Sequence, residues 1–345
     1  MRCVCDNIEV GRIKKMTLKF IDFCSGIGAG RLGLELLGLT CVAHSEINPD
    51  SDYTYQLFYN DDRNLGDLTV LNMEQIPESD ILIAGFPCQT FSIVGKRAGF
   101  EDDRGQIIYY LKNILKQKNI PYFIFENVKG LVNHDGGRTL TAIIELLNNA
   151  GYEVAYKVLN SVDYGVPQLR ERIYFVGIRK DLYTKPFKFP QPTKHVHIQE
   201  FLLSNNNDIL DVKHPTFQKY LANKYNKDRV NIDELLEQEY AVIDTRQSDL
   251  RVYIDKCPTL RTGRHGILYV RNGQLHKLSG LESLLLQGFP KEYVMKAMGL
   301  TNSKLLSQTG NAMTVNVIRA IGECLLNYIE ENEQSGFGTK RLSNC

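Results

Sequence analysis

The chain has 345 residues, 43% hydrophobic and 23% charged, with a formal net charge of +1. That is room for one large domain or two compact ones, in the balance of a globular protein. It holds no apolar run near the roughly 18 residues that a membrane span needs, and Met1–Met16 lacks the apolar core of a secretion signal. The eight cysteines contain no Cys-x-x-Cys pair, so spacing gives no support for a metal site. Their scatter fits a reduced, cytoplasmic protein.

Taken in chain order, Leu18 to Phe23 reads as a buried strand that runs into the glycine-rich Gly26-Ile27-Gly28-Ala29-Gly30. Because Met16 sits just before this strand, the preceding stretch reads as an extension, or Met16 as the true start. A helix is expected from Arg31 to Leu39, then a strand from Thr40 to Ile47. Asp80–Gly85 and Tyr122–Val128 are apolar strands, with helices around Gln106–Gln117 and Thr139–Asn149. Ile173–Ile178 is a further strand. This alternation predicts an α/β fold, a doubly wound, mostly parallel sheet covered on both faces. After Lys180 the rhythm breaks at prolines 186, 190 and 192, and a second, smaller domain is expected to about Leu278. Helical pattern then returns, with one long helix from Asn311 to Glu331 and a loose tail from Asn332.

Several positions carry chemistry. The turn at Cys24, Gly26, Ile27 and Gly28 follows a strand, where backbone can approach a ligand closely. Arg31 breaks the Gly-x-Gly-x-x-Gly pattern, which points away from a pyrophosphate and toward another adenosine-bearing ligand. Glu46 stands about 20 residues on, where a carboxylate meets ribose hydroxyls. Asp67 follows near the expected third strand and is placed to accept from an adenine amino group. Each of these alone also reads as an ordinary turn or surface carboxylate. Pro87-Cys88-Gln89 directly follows a buried strand, so Cys88 is a candidate nucleophile at the sheet edge, or else a small buried hydrophobe. Glu126 closes another buried strand, and desolvation there would let it hold a proton to donate. Arg170 and Arg172, two apart in an extended segment, point to one face and can clamp an oxygen, or else form a surface salt bridge with Glu171. Between Arg251 and Lys277, six cations stand against Asp255 alone, a local net charge of +5 that is able to pair with phosphates, although charge alone slightly favours a solvated face.

In this order the motifs resemble the DNA (cytosine-5)-methyltransferase family of the bacterial or phage restriction-modification type. They are the glycine turn, the Pro-Cys-Gln loop, Glu126-Asn127-Val128, Gln168-Leu169-Arg170-Glu171-Arg172 and the late Gly310-Asn311-Ala312. The resemblance runs from Leu18 to about Ile329. It implies an S-adenosylmethionine-dependent methyltransferase fold, with Cys88 attacking carbon 6 of a flipped cytosine. Glu126 would meet the ring at N3, and Arg172 would hold the O2 side with Arg170 in support. The methyl donor S-adenosylmethionine would be lined by Cys24, Gly26, Ile27, Gly28, Glu46, Ile47, Asp67, Leu68, Pro87 and Asn311. Double-stranded DNA would meet Ser92, Arg97, Thr259, Leu260, Arg261 and Arg264. Thr259-Leu260 resembles part of the family's target-recognition region, so residues 180–278 would read the site. Cys24 stands where the family usually has Phe, Leu169 replaces a residue that is often basic, and Leu281 and Leu285 replace common arginines. A monomer is expected, with a cognate restriction endonuclease acting on the same site but not stably bound. An RNA cytosine methyltransferase on the same scaffold is the alternative.

Overall fold

The computed structural model describes residues 18–87, 107–193, 195–263 and 265–334. Cys88, Ser92, Arg97 and Arg264 lie outside the described residues, as do Met1–Met16 and most of the tail.

The first strand, β1 (Lys19–Phe23), alternates strictly, sending Phe20 into one core and Ile21 and Phe23 into the other. That period of two is what a strand covered on both faces requires. Helix α1 (Ala29–Glu35) ends earlier than expected, because Gly38 at φ 85 turns the chain into β2 (Thr40–Ser45). A helix not anticipated, α2 (Pro49–Tyr59), starts with the Asn48 side chain accepting from Ser51 N and with proline at its first position, both strong start signals. Then come β3 (Ile81–Gly85), α3 (Ile107–Gln117), β4 (Tyr122–Val128), α4 (Arg138–Asn149), β5 (Tyr152–Asn160), the short β6 (Gln168–Leu169) and β7 (Glu171–Arg179).

The main sheet has six strands in the order β2-β1-β3-β4-β7-β5. It is parallel from β2 to β4, and β7 runs antiparallel to both neighbours. Helices α3 and α4 cover one face. The other is covered by α1 and by the C-terminal helices α7 (Gly280–Leu286), α8 (Lys291–Lys296), α9 (Asn302–Asn311) and α10 (Val315–Gln334). A Cβ on Gly33 would lie 2.8 Å from Ile318, so α1 and α10 touch nearly backbone to side chain.

The long helix expected from Asn311 to Glu331 is α10, which starts four residues later, at Val315, because Asn311 closes α9. Residues 312–314 are extended, and Thr314 Oγ1 lies 3.1 Å from Gln287 Oε1 and 2.8 Å from Ser161 Oγ. Those side-chain bonds compete with helix hydrogen bonding at this point.

The irregular middle of the chain folds as a second, five-stranded antiparallel sheet, in the order β10-β9-β12-β13-β8. Its strands are β8 (Ile209–Leu210), β9 (Val242–Asp244), β10 (Arg251–Tyr253), β12 (Ile267–Arg271) and β13 (Gln274–Lys277). Helices α5 (Pro215–Leu221) and α6 (Ile232–Leu236) pack on it. Two-residue β11 (Cys257–Pro258) instead pairs in parallel with β6 of the first domain. Residues 180–193, expected to open the second domain, lie on the first: Tyr164 donates to Pro190 O, and Phe187 packs beside Tyr328 of α10.

Candidate active site

The carboxyl ends of β1 and β2 form one edge. Cys24 and Gly26 both take positive φ (50 and 55), which turns the chain sharply after β1. Glu46 holds that turn: Gly26 N donates to Oε2 and Asn48 N to Oε1, each at 2.7 Å. A carboxylate has about four acceptor positions, so two backbone bonds fix it and leave lone pairs for a ligand. A Cβ on Gly26 would meet nothing within 4 Å, whereas one on Gly28 would strike the Tyr59 ring at 2.3 Å. Gly26 therefore borders open space, and Gly28 serves packing. Next to Glu46, Ile47 is 72% exposed, an apolar face free to stack on a flat ring.

Asp67 lies in the loop before β3 and not on a strand. Its Oδ1 accepts from Thr69 N and Oγ1, and the loop is tied to β2 by Ser45 Oγ donating to Gly66 O at 2.6 Å. Two buried polar atoms at this edge, Asp22 Oδ1 and Ser25 Oγ, have no hydrogen-bond partner, and buried polar atoms are normally paired. Open glycine, orphaned polar atoms, a ribose-spaced carboxylate and an exposed aliphatic side chain fit an adenosyl group. Both Ile27 and Leu68 have buried side chains, Ile27 within the core, so it is their backbone that a ligand would meet. Burial raises the Cys24 thiol well above its usual range, so it is a neutral packing group. Pro87 and Asn311 are exposed.

Glu46→Ala should weaken the donor's binding by about 1–3 kcal/mol, the cost of unpaired ribose hydrogen bonds. Calorimetry with S-adenosylhomocysteine on folded protein checks it, and an unchanged affinity would remove Glu46 from the ribose.

The neighbouring edge carries the acid. Register pairs Gly85 at the end of β3 with Glu126 on β4. The Asn127 side chain donates to Phe86 O at 2.9 Å, pinning the Phe86-Pro87 backbone to β4. Pro87 therefore lies at the same sheet edge as Glu126. Asn127 was legible only as a motif member, and this role needs the register to be seen. Glu126 is buried, and Arg172 Nε on β7 lies 3.1 Å from its Oε1. That N–H is not well aimed at the oxygen, which is left without a hydrogen bond. Burial raises the Glu126 pKa above its ordinary value, opposed in part by the charges of Arg172 and Arg170. The result is a carboxyl biased toward its protonated form beside a fixed cation.

Arg170 is corrected. It is 1% exposed and spends its guanidinium on three carbonyls: Leu260 O at 3.1 Å, Gly310 O at 3.2 Å and Ala312 O at 2.7 Å. Burial, then the charge of Arg172, lowers its pKa to about 9, still charged at pH 7. It is a positioning residue between the two domains and does not clamp a substrate.

Gln168 works with it, donating to Leu286 O and accepting from Leu260 N. Leu260, expected at the DNA, is 2% exposed and sits in the second domain's core. Thr259 donates to Leu169 O, and its own carbonyl accepts from Arg246. A Cβ on Gly310 would fall 2.2 Å from Thr262 N, so only glycine lets α9 seat this segment. The signal for this joint was present in Gln168 and Gly310, but sequence alone does not show their partners.

The +5 stretch is largely spent within the protein. Arg251 pairs with Asp249 and Lys277 with Asp208, while Arg271 donates to Leu203 O. Arg261 is exposed and makes no ion pair among the described residues.

A glycine turn with a ribose-spaced carboxylate, next to a buried acid–guanidinium pair, defines a nucleoside-dependent group-transfer enzyme on a mostly parallel α/β sheet. The chain belongs to the C-5 cytosine-specific DNA methylase family, which it matches over residues 18–327; it is a DNA cytosine-5 methyltransferase that uses S-adenosylmethionine as methyl donor. It is 37% identical over 305 residues to the type II methyltransferase M.NgoBI of Neisseria gonorrhoeae, covering 88% of this chain and 91% of that one. It is 33% identical to the type II methyltransferase M.HhaI of Haemophilus parahaemolyticus, covering 91% and 96%. Among solved structures, the Dnmt2 methyltransferase of S. pombe superposes with a TM-score of 0.66 at 18% identity, covering 91% of this chain and 98% of that one; this likeness shows the fold. Among the described residues, no helix is long and apolar enough to cross a membrane.

Proposed function

We propose that the chain methylates one cytosine within a specific duplex DNA sequence, after swinging that base out of the helix, with Cys88 as covalent nucleophile. The observation that carries this reading is Glu126, buried beside Arg172 at the sheet edge where Pro87 lies.

Carbon 5 of cytosine is a poor nucleophile. The Cys88 thiolate adds to carbon 6, forming a carbon–sulfur bond, while Glu126 gives its proton to N3. The ring electrons then concentrate on carbon 5. Gly26, Glu46 and Ile47 would hold S-adenosylmethionine, whose sulfonium would supply an electrophilic methyl to carbon 5 and leave as S-adenosylhomocysteine. Loss of the carbon 5 proton to a solvent base returns the electrons to the ring and expels the Cys88 thiolate, and N3 gives its proton back to Glu126. Arg172 holds Glu126 and the O2 side of the base in place. Extruding the base costs a few kcal/mol of unstacking, offset by contacts that only an extruded base makes. Residues from about 195 to 278 act as the target-recognition domain, and exposed Arg261 contacts the DNA. The enzyme acts as a monomer and protects its site from a cognate endonuclease.

Sequencing modified cytosines in DNA and tRNA from cells expressing the chain tests this. The expected result is 5-methylcytosine at one recurring DNA sequence. Methylation confined to tRNA, or spread over DNA without sequence preference, would overturn it.

A further inference from the structure

We propose that His195, His197 and Asp255 form a binding site for a divalent late transition metal of the zinc type. In this site the metal braces the chain entering the second domain against the segment that leads to β11.

Extended backbone at His197 (φ −86, ψ 139) puts residues two apart on one side of the chain, so both imidazoles face Asp255. Their rings stand nearly perpendicular, 82° apart, with centroids 5.6 Å apart. His195 Nε2 and His197 Nδ1 reach the same oxygen, Asp255 Oδ2, at 2.7 and 2.8 Å. All three ligand atoms lie within 4.8 Å of one another.

With metal–ligand bonds of about 2.1 Å, a tetrahedral centre spaces its ligands roughly 3.4 Å apart. The two histidine–aspartate distances thus need to open by only roughly 0.6–0.7 Å, and both histidine side chains are exposed enough to turn. The other carboxylate oxygen, Oδ1, accepts from Ile198 N at 2.9 Å. Such outer bonds orient a ligand for its metal. Two imidazoles and one carboxylate, with no thiolate, suit zinc, cobalt or nickel rather than a softer ion. Three protein ligands on an open surface leave water in the fourth position.

The position gives the site its purpose. Thr193 N, just before it, is anchored to Asp163 O of the first domain at 2.7 Å. Two residues after Asp255, Cys257 pairs with Gln168, and Leu260 and Arg261 follow. A metal here ties the domain entry to the start of the recognition segment. It takes no part in methyl transfer.

The test uses the full chain, freed of metal by a chelator and titrated with Zn²⁺ by calorimetry, then with Co²⁺ by absorbance. The expected result is one equivalent bound, with a rise in Tm by mass action. The cobalt spectrum should show d–d bands without a thiolate charge-transfer band. His195→Ala/His197→Ala should weaken that equivalent at least tenfold and remove the rise in Tm. Asp255→Asn should do the same while leaving the metal-free Tm in place, since asparagine tolerates the positive φ of 53 found there. Equal isotherms for the parent and both variants, or thiolate charge transfer in the parent, would overturn the proposal.

Discussion

Cys88→Ser is expected to abolish methyl transfer while leaving DNA binding close to that of the parent. Its clearest readout is covalent capture by duplex DNA carrying 5-fluorocytosine at the target base. Fluorine replaces the carbon 5 proton, so the final elimination cannot occur and the enzyme stays bonded at carbon 6. A serine alcohol is far less acidic than a thiol, and addition requires the anion. The geometry of the described residues around this segment supports the assignment. Asn127 fastens Phe86 to β4, and the register sets Gly85 against Glu126, so the described chain reaches Pro87 at the edge that carries the acid. By contrast, burial raises the thiols of Cys24, Cys41 and Cys257 far above or to the top of the useful range, Cys41 and Cys257 to about 12. Denaturing gels should show a shifted band for the parent and none for the variant. Full capture by the serine variant would move the nucleophile elsewhere.

The elements legible in the sequence were strands buried on both faces and the strongly amphipathic helices α3 and α4. Tyr122–Val128 is apolar on both faces and reads to the residue as β4. The edge strand β5 was not legible, because half-exposed side chains blur its alternation. Helix α2 was missed for a related reason: Pro49-Asp50-Ser51-Asp52 looks like a loop, and only Thr54, Tyr55 and Phe58 are buried. In the second domain, strands of two to five residues carry too little pattern to register. At the site, residue types and order pointed to Glu126 and Arg172, which the structure brings together. They could not reveal that Arg170 turns inward to three carbonyls, because a buried arginine and a substrate-clamping one look alike until their partners are known. Leu260 failed in the same way: the motif marked the segment, and burial decided that its side chain serves the core.

Glu126→Gln is expected to lower kcat/KM by about 10²- to 10⁴-fold, the range for removing a positioned proton donor, with DNA affinity changed little. Glutamine keeps the shape and can still donate an N–H, but it cannot transfer a proton to N3. Alanine would confuse matters by leaving Arg172 unpaired in a largely buried site. The pH profile separates a chemical role from a merely structural one. Burial raises the Glu126 pKa, and the opposing charges of Arg172 and Arg170 only temper that rise. The parent should hold its proton at pH values where an exposed glutamate has lost it. Its kcat/KM should fall as pH rises through that elevated pKa, because the free enzyme loses the proton it must give. The glutamine variant has no such group to titrate, so this limb should vanish while the overall rate stays low. If the variant kept both the parent's rate and its alkaline limb, Glu126 would be only the counter-ion that seats Arg172, and the proton for N3 would have to come from another group or from solvent.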